Sequence, residues 1–223
     1  MVEVAASFLD ADKEKIIQTI YDLEVAGADY FHIDVMDGKF VEKDTSQIMK
    51  EYMEYIKQIS TIPIEVHLMV EDVESYIKSY MALEPSTIIF HIEACKNQNQ
   101  VIEMMSLLKQ NHCKIGLCVS PKTDMNAIFE YIPYIHRVLV MTVEPGKGGQ
   151  KLLPETISKI QDLNRYIYDN GYEVDIEVDG GINNETCKPV IEAGANILVS
   201  GSYIIHSGNY KEAIAILKGN KSK

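Results

Sequence analysis

Two kinds of hydrophobic pattern alternate along this chain. Short apolar runs rich in β-branched residues predict strands at 2–8, 30–35, 64–70, 87–92, 114–119, 136–142, 174–178 and 196–200. Between and after them, apolar residues recur every three or four positions, which predicts helices at 12–25, 46–58, 73–82, 101–109, 154–168, 184–193 and 210–217. Segment 125–131 is the least regular of the helical stretches.

Eight strand-like runs in 223 residues leave about 28 residues per repeat, the length of a βα unit in a parallel sheet. The expected fold is therefore α/β, a closed (β/α)8 TIM barrel, with residues 1–223 forming a single domain. A doubly wound open sheet is the alternative, but it calls for a glycine-rich turn after the first strand, and the chain reads Leu9-Asp10-Ala11-Asp12 there. Two helix-to-strand corners look alike, Ala26-Gly27-Ala28-Asp29 and Ala193-Gly194-Ala195-Asn196, each with a glycine where a left-handed residue would end the helix. In a barrel such corners lie on the face opposite the active site and serve stability.

Composition narrows the function classes. Hydrophobic residues make up 46% of the chain, enough for a large core. With 21 basic against 33 acidic residues the net charge is −12, which disfavours nucleic acid and anionic membrane surfaces as partners. No apolar run approaches the roughly 20 residues of a membrane helix, and the start Met1-Val2-Glu3-Val4 lacks a basic region followed by an apolar stretch, so a cytoplasmic protein is expected. Cys95, Cys113, Cys118 and Cys187 fit neither a disulfide framework nor a zinc ribbon and read as reduced thiols.

In a (β/α)8 barrel, chemistry belongs at the C-terminal ends of the strands. Polar residues cluster there. His32 and Asp34 are two apart and share a face of one strand; His67 and Asp179 stand near the ends of the third and seventh. A single strand histidine is ordinarily a hydrogen-bonded core residue, but two imidazoles and two carboxylates converging from three strands suit one divalent ion such as Zn, Fe, Mn or Co. His91 occupies a similar strand-end position and is a candidate for a supporting or substrate contact, whereas His112, His136 and His206 have no comparable setting. Glycines mark a second site: Gly146, Gly148 and Gly149 after the sixth strand, Gly180 and Gly181 after the seventh, and Gly201 with Ser202 after the eighth. Such loops let backbone N–H groups converge on a phosphate.

The strings His32-Ile33-Asp34-Val35-Met36-Asp37-Gly38, His67-Leu68-Met69-Val70, Val140-Met141-Thr142-Val143-Glu144-Pro145-Gly146, Gly148-Gly149-Gln150 and Ile176-Glu177-Val178-Asp179-Gly180-Gly181 resemble those of the ribulose-phosphate 3-epimerases, in register from about Ser7 to Ser202. The resemblance implies a ribulose-phosphate-binding barrel and a homo-oligomer. Its activity would be a pentose phosphate pathway isomerase that interconverts D-ribulose 5-phosphate and D-xylulose 5-phosphate through an enediolate. It further implies that His32, Asp34, His67 and Asp179 hold the metal and that Asp34 and Asp179 are the acid/base pair. Ser7, His67, Met36, Met69 and Met141 would meet the substrate, and Gly146, Lys147, Gly148, Gly149, Gly180, Gly181, Gly201 and Ser202 would surround its phosphate end.

Three loops depart from the family pattern. Ala6-Ser7-Phe8-Leu9-Asp10-Ala11-Asp12 replaces Pro-Ser-Ile-Leu-Ser-Ala-Asp, Glu42-Lys43-Asp44-Thr45-Ser46-Gln47 replaces Pro-Asn-x-Thr-x-Gly, and Lys147 stands where relatives have an aromatic residue. The altered rim leaves two further readings open: an epimerase of a hexulose 6-phosphate such as D-allulose 6-phosphate, and a sugar-phosphate binder without catalysis. Decarboxylase or aldolase chemistry in such barrels commonly uses a lysine near the reacting carbon, and the strand ends here carry none.

Overall fold

The computed structural model describes residues 2–219. Eight parallel strands close into a barrel in sequence order: β1 (Glu3–Ser7), β2 (Tyr30–Met36), β3 (Ile64–Met69), β4 (Thr87–His91), β5 (Lys114–Val119), β6 (Arg137–Met141), β7 (Asp175–Asp179) and β8 (Ile197–Ser200). β8 pairs with β1 through Glu3–Ile197, Val4–Leu198, Ala5–Val199 and Ala6–Ser200, which closes the ring and leaves no edge. The expected (β/α)8 architecture is what the chain forms.

Outside the barrel run α1 (Ile16–Ala26), α2 (Ser46–Ile59), α3 (Val73–Met81), α4 (Gln98–Gln110), α5 (Thr156–Asn170), α6 (Cys187–Ala193), the short α7 (Ser202–Ile205) and α8 (Tyr210–Leu217). Side-chain caps set several of their starts. Asn97 accepts from Gln100 N at 3.1 Å, so α4 begins three residues before the apolar periodicity suggests. Asn183 takes the N–H groups of Glu185 and Thr186 at 2.8 and 3.2 Å, a turn that delays α6 to Cys187. The expected helix at 125–131 is replaced by two 3-10 turns, Met125–Ala127 and Phe129–Tyr134. Pro133 lies inside the second and cannot donate the N–H that an α-helix would need there. The two glycine corners also differ: Gly27 is a left-handed cap at φ 87°, whereas Gly194 sits at φ 121° with its Cα side against Asn164, where a Cβ would fall 2.4 Å from the carboxamide carbon.

Between barrel and helices lies the main apolar core, including Phe8, Phe31, Tyr52, Ile56, Phe90, Leu117 and Val138. Inside the barrel the apolar set is small: Ala5, Ile89, Cys118, Leu139, Met141, Val143, Ile197 and Val199. The remaining interior is polar. His32, Asp34, Glu65, His67, His91, Arg137 and Glu177 are all buried there, an arrangement stable only if each charge finds a partner. No helix among the described residues is long and apolar enough to cross a membrane.

Candidate active site

The floor of the barrel is built first. Arg137, on β6, donates through Nη1 to Glu65 on β3 and, at 3.2 Å, to Glu177 on β7, and it lies 4.6 Å from the centre of the Tyr30 ring. Its guanidinium is thus the cation for a cluster of His32, Glu65 and Glu177 that otherwise has the look of a metal site. Glu65 Oε1 lies 2.7 Å from His32 Nδ1, so His32 donates its Nδ1–H downward and turns Nε2 up toward Asp34 Oδ1 at 3.3 Å. That Nε2 is buried and has no hydrogen bond of acceptable geometry.

One layer higher, adjacent strands bring Asp34 opposite His67 and Met36 opposite Met69, while Met141 pairs with Asp179. His67 Nδ1 is 3.3 Å from Asp34 Oδ1 and 3.7 Å from Asp179 Oδ2. The donor atoms of His32, Asp34, His67 and Asp179 lie within 4.8 Å of one another. This set fits a divalent ion on one observation above all: a buried imidazole nitrogen without a hydrogen bond faces a carboxylate across a gap that needs positive charge.

Electrostatics separates the two carboxylates. Burial works against ionisation of Asp34, but positive charge drawn onto His32 and hydrogen bonding from His32 and His67 outweigh it and hold its carboxyl well below the usual range. Asp179 is pushed upward, by burial first and by the neighbouring Asp34 charge second. The two carboxylates are thus driven apart, Asp34 toward the charged form and Asp179 toward the protonated one, the divergence that marks acid/base pairs.

Both groups are held by their strand ends. Ser7 Oγ donates to Asp34 Oδ2 at 2.6 Å, and Thr45 Oγ1 donates to Asp34 O at 2.6 Å while accepting from Met36 N. Thr142 N donates to Asp179 O at 2.8 Å. The turn after β7 then needs glycine twice: at Gly180 (φ 119°) a Cβ would meet Val143 at 2.3 Å, and at Gly181 (φ 68°) it would meet Leu152 N at 2.4 Å.

A cavity opens above Asp34 and Asp179 at the C-terminal mouth. Ser7, Met36, Met69, Met141, Gly146, Lys147, Gly148, Gly149, Gly180, Gly181, Gly201 and Ser202 all line it, so the expected substrate residues are brought together with one exception. His67 does not line it; the residue is fully buried beneath, its nitrogens facing Asp34 and Asp179 on one side and His91 on the other. His67 therefore forms part of the floor beneath the cavity. Asp10 and Gln150, which motif reading passed over, also line the cavity. Lys147 stands at the rim, 3.9 Å from Glu42, with both side chains mostly exposed.

The residues missed at sequence level are the supports: Arg137, Glu65 and Glu177 below His32, and Glu93 behind His91. A third cluster with donor atoms in reach, His67, His91 and Cys118, is no cation site. The two Nε2 atoms are 3.0 Å apart with the rings 19° from parallel and their centres 5.1 Å apart, so the imidazoles meet end to end across a gap that one hydrogen fills.

The comparisons with known proteins agree with this geometry. A profile of the Ribulose-phosphate 3 epimerase family matches residues 3–205. The ribulose-phosphate 3-epimerase of Bacillus subtilis (strain 168) is 38% identical over 99% of this chain and all of its own length, and that of Methanocaldococcus jannaschii is 38% identical over 98% and 90%. Among solved structures, a tryptophan synthase complex from Pyrococcus furiosus superposes with a TM-score of 0.70 over 97% of this chain and 98% of its own at 13% identity, a likeness of fold alone. By sequence over nearly its whole length, this chain belongs to the ribulose-phosphate 3-epimerase family.

Proposed function

We propose that the protein inverts C3 of D-ribulose 5-phosphate to give D-xylulose 5-phosphate, with a divalent ion held by His32, Asp34, His67 and Asp179. The observation that carries this reading is the pair of carboxylates, Asp34 and Asp179, that face one cavity from β2 and β7, with Asp34 driven toward the charged form and Asp179 toward the protonated one. Its relatives from Bacillus subtilis and Methanocaldococcus jannaschii bear the name of that activity.

The C3 proton is weakly acidic because the C2 carbonyl can take up the electron pair as an enediolate. A charged carboxylate on one side of the sugar removes that proton, and the protonated carboxylate on the other side returns one to the opposite face of C3, which inverts the centre. Atoms balance: one carboxyl gains the proton that the other gives up, and the reverse reaction exchanges the roles. The bound ion would supply the positive charge that an enediolate needs. Ser7 steadies Asp34 by its 2.6 Å hydrogen bond, and the buried sulfur-bearing side chains of Met36, Met69 and Met141 keep water from the reacting carbons. The phosphate is held by backbone N–H groups of the glycine loops after β6, β7 and β8.

Incubation of the metal-loaded protein with D-ribulose 5-phosphate in deuterated water tests the reading. Deuterium at C3 with inversion is expected; binding of the sugar phosphate without exchange would make the protein a silent binder. A hexulose 6-phosphate is the alternative substrate that the altered rim raises, where Lys147 lies 3.9 Å from Glu42. The ratio of kcat/KM values for pentulose and hexulose phosphates decides between the two.

A further inference from the structure

Behind the metal-binding histidines runs a second set of hydrogen bonds, and it has a direction. Glu93, just after β4, is held by the following loop: its Oε1 accepts from Ser120 N at 2.7 Å and from the Thr123 hydroxyl. That loop is itself clasped from α5, where Lys159 Nζ donates to the Ser120 and Thr123 carbonyl oxygens. The other oxygen, Oε2, faces His91 Nδ1 at 3.2 Å, with the Ser120 hydroxyl 3.4 Å from the same nitrogen. A carboxylate only accepts, so His91 carries its proton on Nδ1 and offers a bare Nε2. Its partner across the 3.0 Å end-to-end contact, His67 Nε2, is then the donor; that order leaves His67 Nδ1 bare for an ion, whereas Asp34 Oδ1, 3.3 Å from Nδ1, draws the His67 proton the other way unless a cation lies between them.

We propose that Glu93 is a positioning residue which, through His91, fixes the tautomer of His67 and so decides whether the site can take a divalent ion. The proposal deepens the metal-dependent reading above and rests on it for the identity of the site. It makes an unusual claim about the nearest isostere. In Glu93→Gln the carbonyl oxygen is retained by the two donors from Ser120 and Thr123, and the amide N–H2 is turned to His91 Nδ1. His91 must then accept at Nδ1 and donate from Nε2, His67 must accept at Nε2, and the His67 proton moves to Nδ1, where the ion would bind. The number of protons on the two rings is unchanged; only their order reverses. In Glu93→Ala the Ser120 hydroxyl is left beside His91 Nδ1, and a hydroxyl accommodates either order.

The test compares cobalt(II) affinity, by competition with a chelator, in the wild type, Glu93→Ala and Glu93→Gln. The expected order has the isosteric Gln variant weakest, about 10- to 100-fold below wild type, with Ala between them. A merely structural role predicts the reverse, since Gln keeps the shape that Ala loses, and a Gln variant equal to or better than Ala would overturn the proposal. Should Glu93→Gln fail to fold, 15N chemical shifts of the zinc-loaded wild type decide alone: the proton on His91 belongs on Nδ1, and finding it on Nε2 refutes the direction of the relay. Affinity and tautomer are read without substrate, so they stand apart from whether the protein turns over ribulose 5-phosphate.

Discussion

Ser7 Oγ donates to Asp34 Oδ2 at 2.6 Å, joining the end of β1 to the carboxylate on β2. The bond favours the charged form of Asp34 and fixes its orientation under the cavity. Ser7→Ala is expected to lower kcat on the order of tenfold and to leave KM nearly unchanged. Steady-state kinetics alongside thermal melting would check this; a loss confined to KM would assign Ser7 to binding alone.

Removing either acid/base carboxylate should separate from this graded effect. Asp34→Asn and Asp179→Asn are each expected to reduce C3 exchange about a thousandfold. Metal content should fall in both, because each carboxylate belongs to the ligand set. Elemental analysis of protein purified without chelator is the independent measurement.

The Arg137 triad has a different signature. Arg137→Met leaves Glu65 and Glu177 buried without their cation and is expected to cost about 3–5 kcal/mol in urea denaturation. The double variant Arg137→Met/Glu177→Leu removes one charge of each sign and should recover much of that loss while Glu65 still holds His32. Failure to recover would mean that Glu177 serves His32 as well as Arg137.

At the rim, Lys147→Ala should alter stability by less than about 0.5 kcal/mol, as expected of an exposed pair. Its effect belongs in KM for the sugar phosphate, raised at low salt and converging on wild type as ionic strength screens the ammonium. A KM indifferent to both salt and substitution would place the Lys147 side chain in solvent.

Acid should reach the site through Glu93. Burial opposes its charge, but hydrogen bonds from His91, Thr123 and Ser120 hold its carboxyl at about 2, against an ordinary 4.5. Below its unfolded value the unfolded chain binds the proton more readily, so the contribution of Glu93 to stability is complete above about 4.5 and is lost as pH falls toward 2. Glu93→Ala should flatten this part of the stability profile, measured by chemical denaturation across pH 5 to pH 3.

Strand-end chemistry was legible in the sequence because His32, Asp34, His67 and Asp179 interrupt otherwise apolar runs, and the barrel's repeat says which end of each strand matters. The supports were not. Arg137 follows His136 at the edge of a strand and reads as its solvated start; only closure of the ring turns its side chain inward to Glu65 and Glu177. Glu93 likewise sits in an ordinary turn until the loop at Ser120 and Thr123 folds over it. Such partnerships join residues 27 to 72 positions apart, and no local pattern encodes them.

The triad on the barrel floor also bears on how the chain can assemble. Its members come from both halves of the sequence: Glu65 from the first four strands, Arg137 and Glu177 from the last four. A half-barrel of β1–β4 that collapsed early would bury Glu65 with His32 as its partner but without the guanidinium of Arg137, so desolvation opposes premature closure of that half. Only the complete ring brings the Arg137 guanidinium to both Glu65 and Glu177, which ties compaction of the N-terminal strands to arrival of β6 and makes the molecule a poor candidate for division into separately folding pieces.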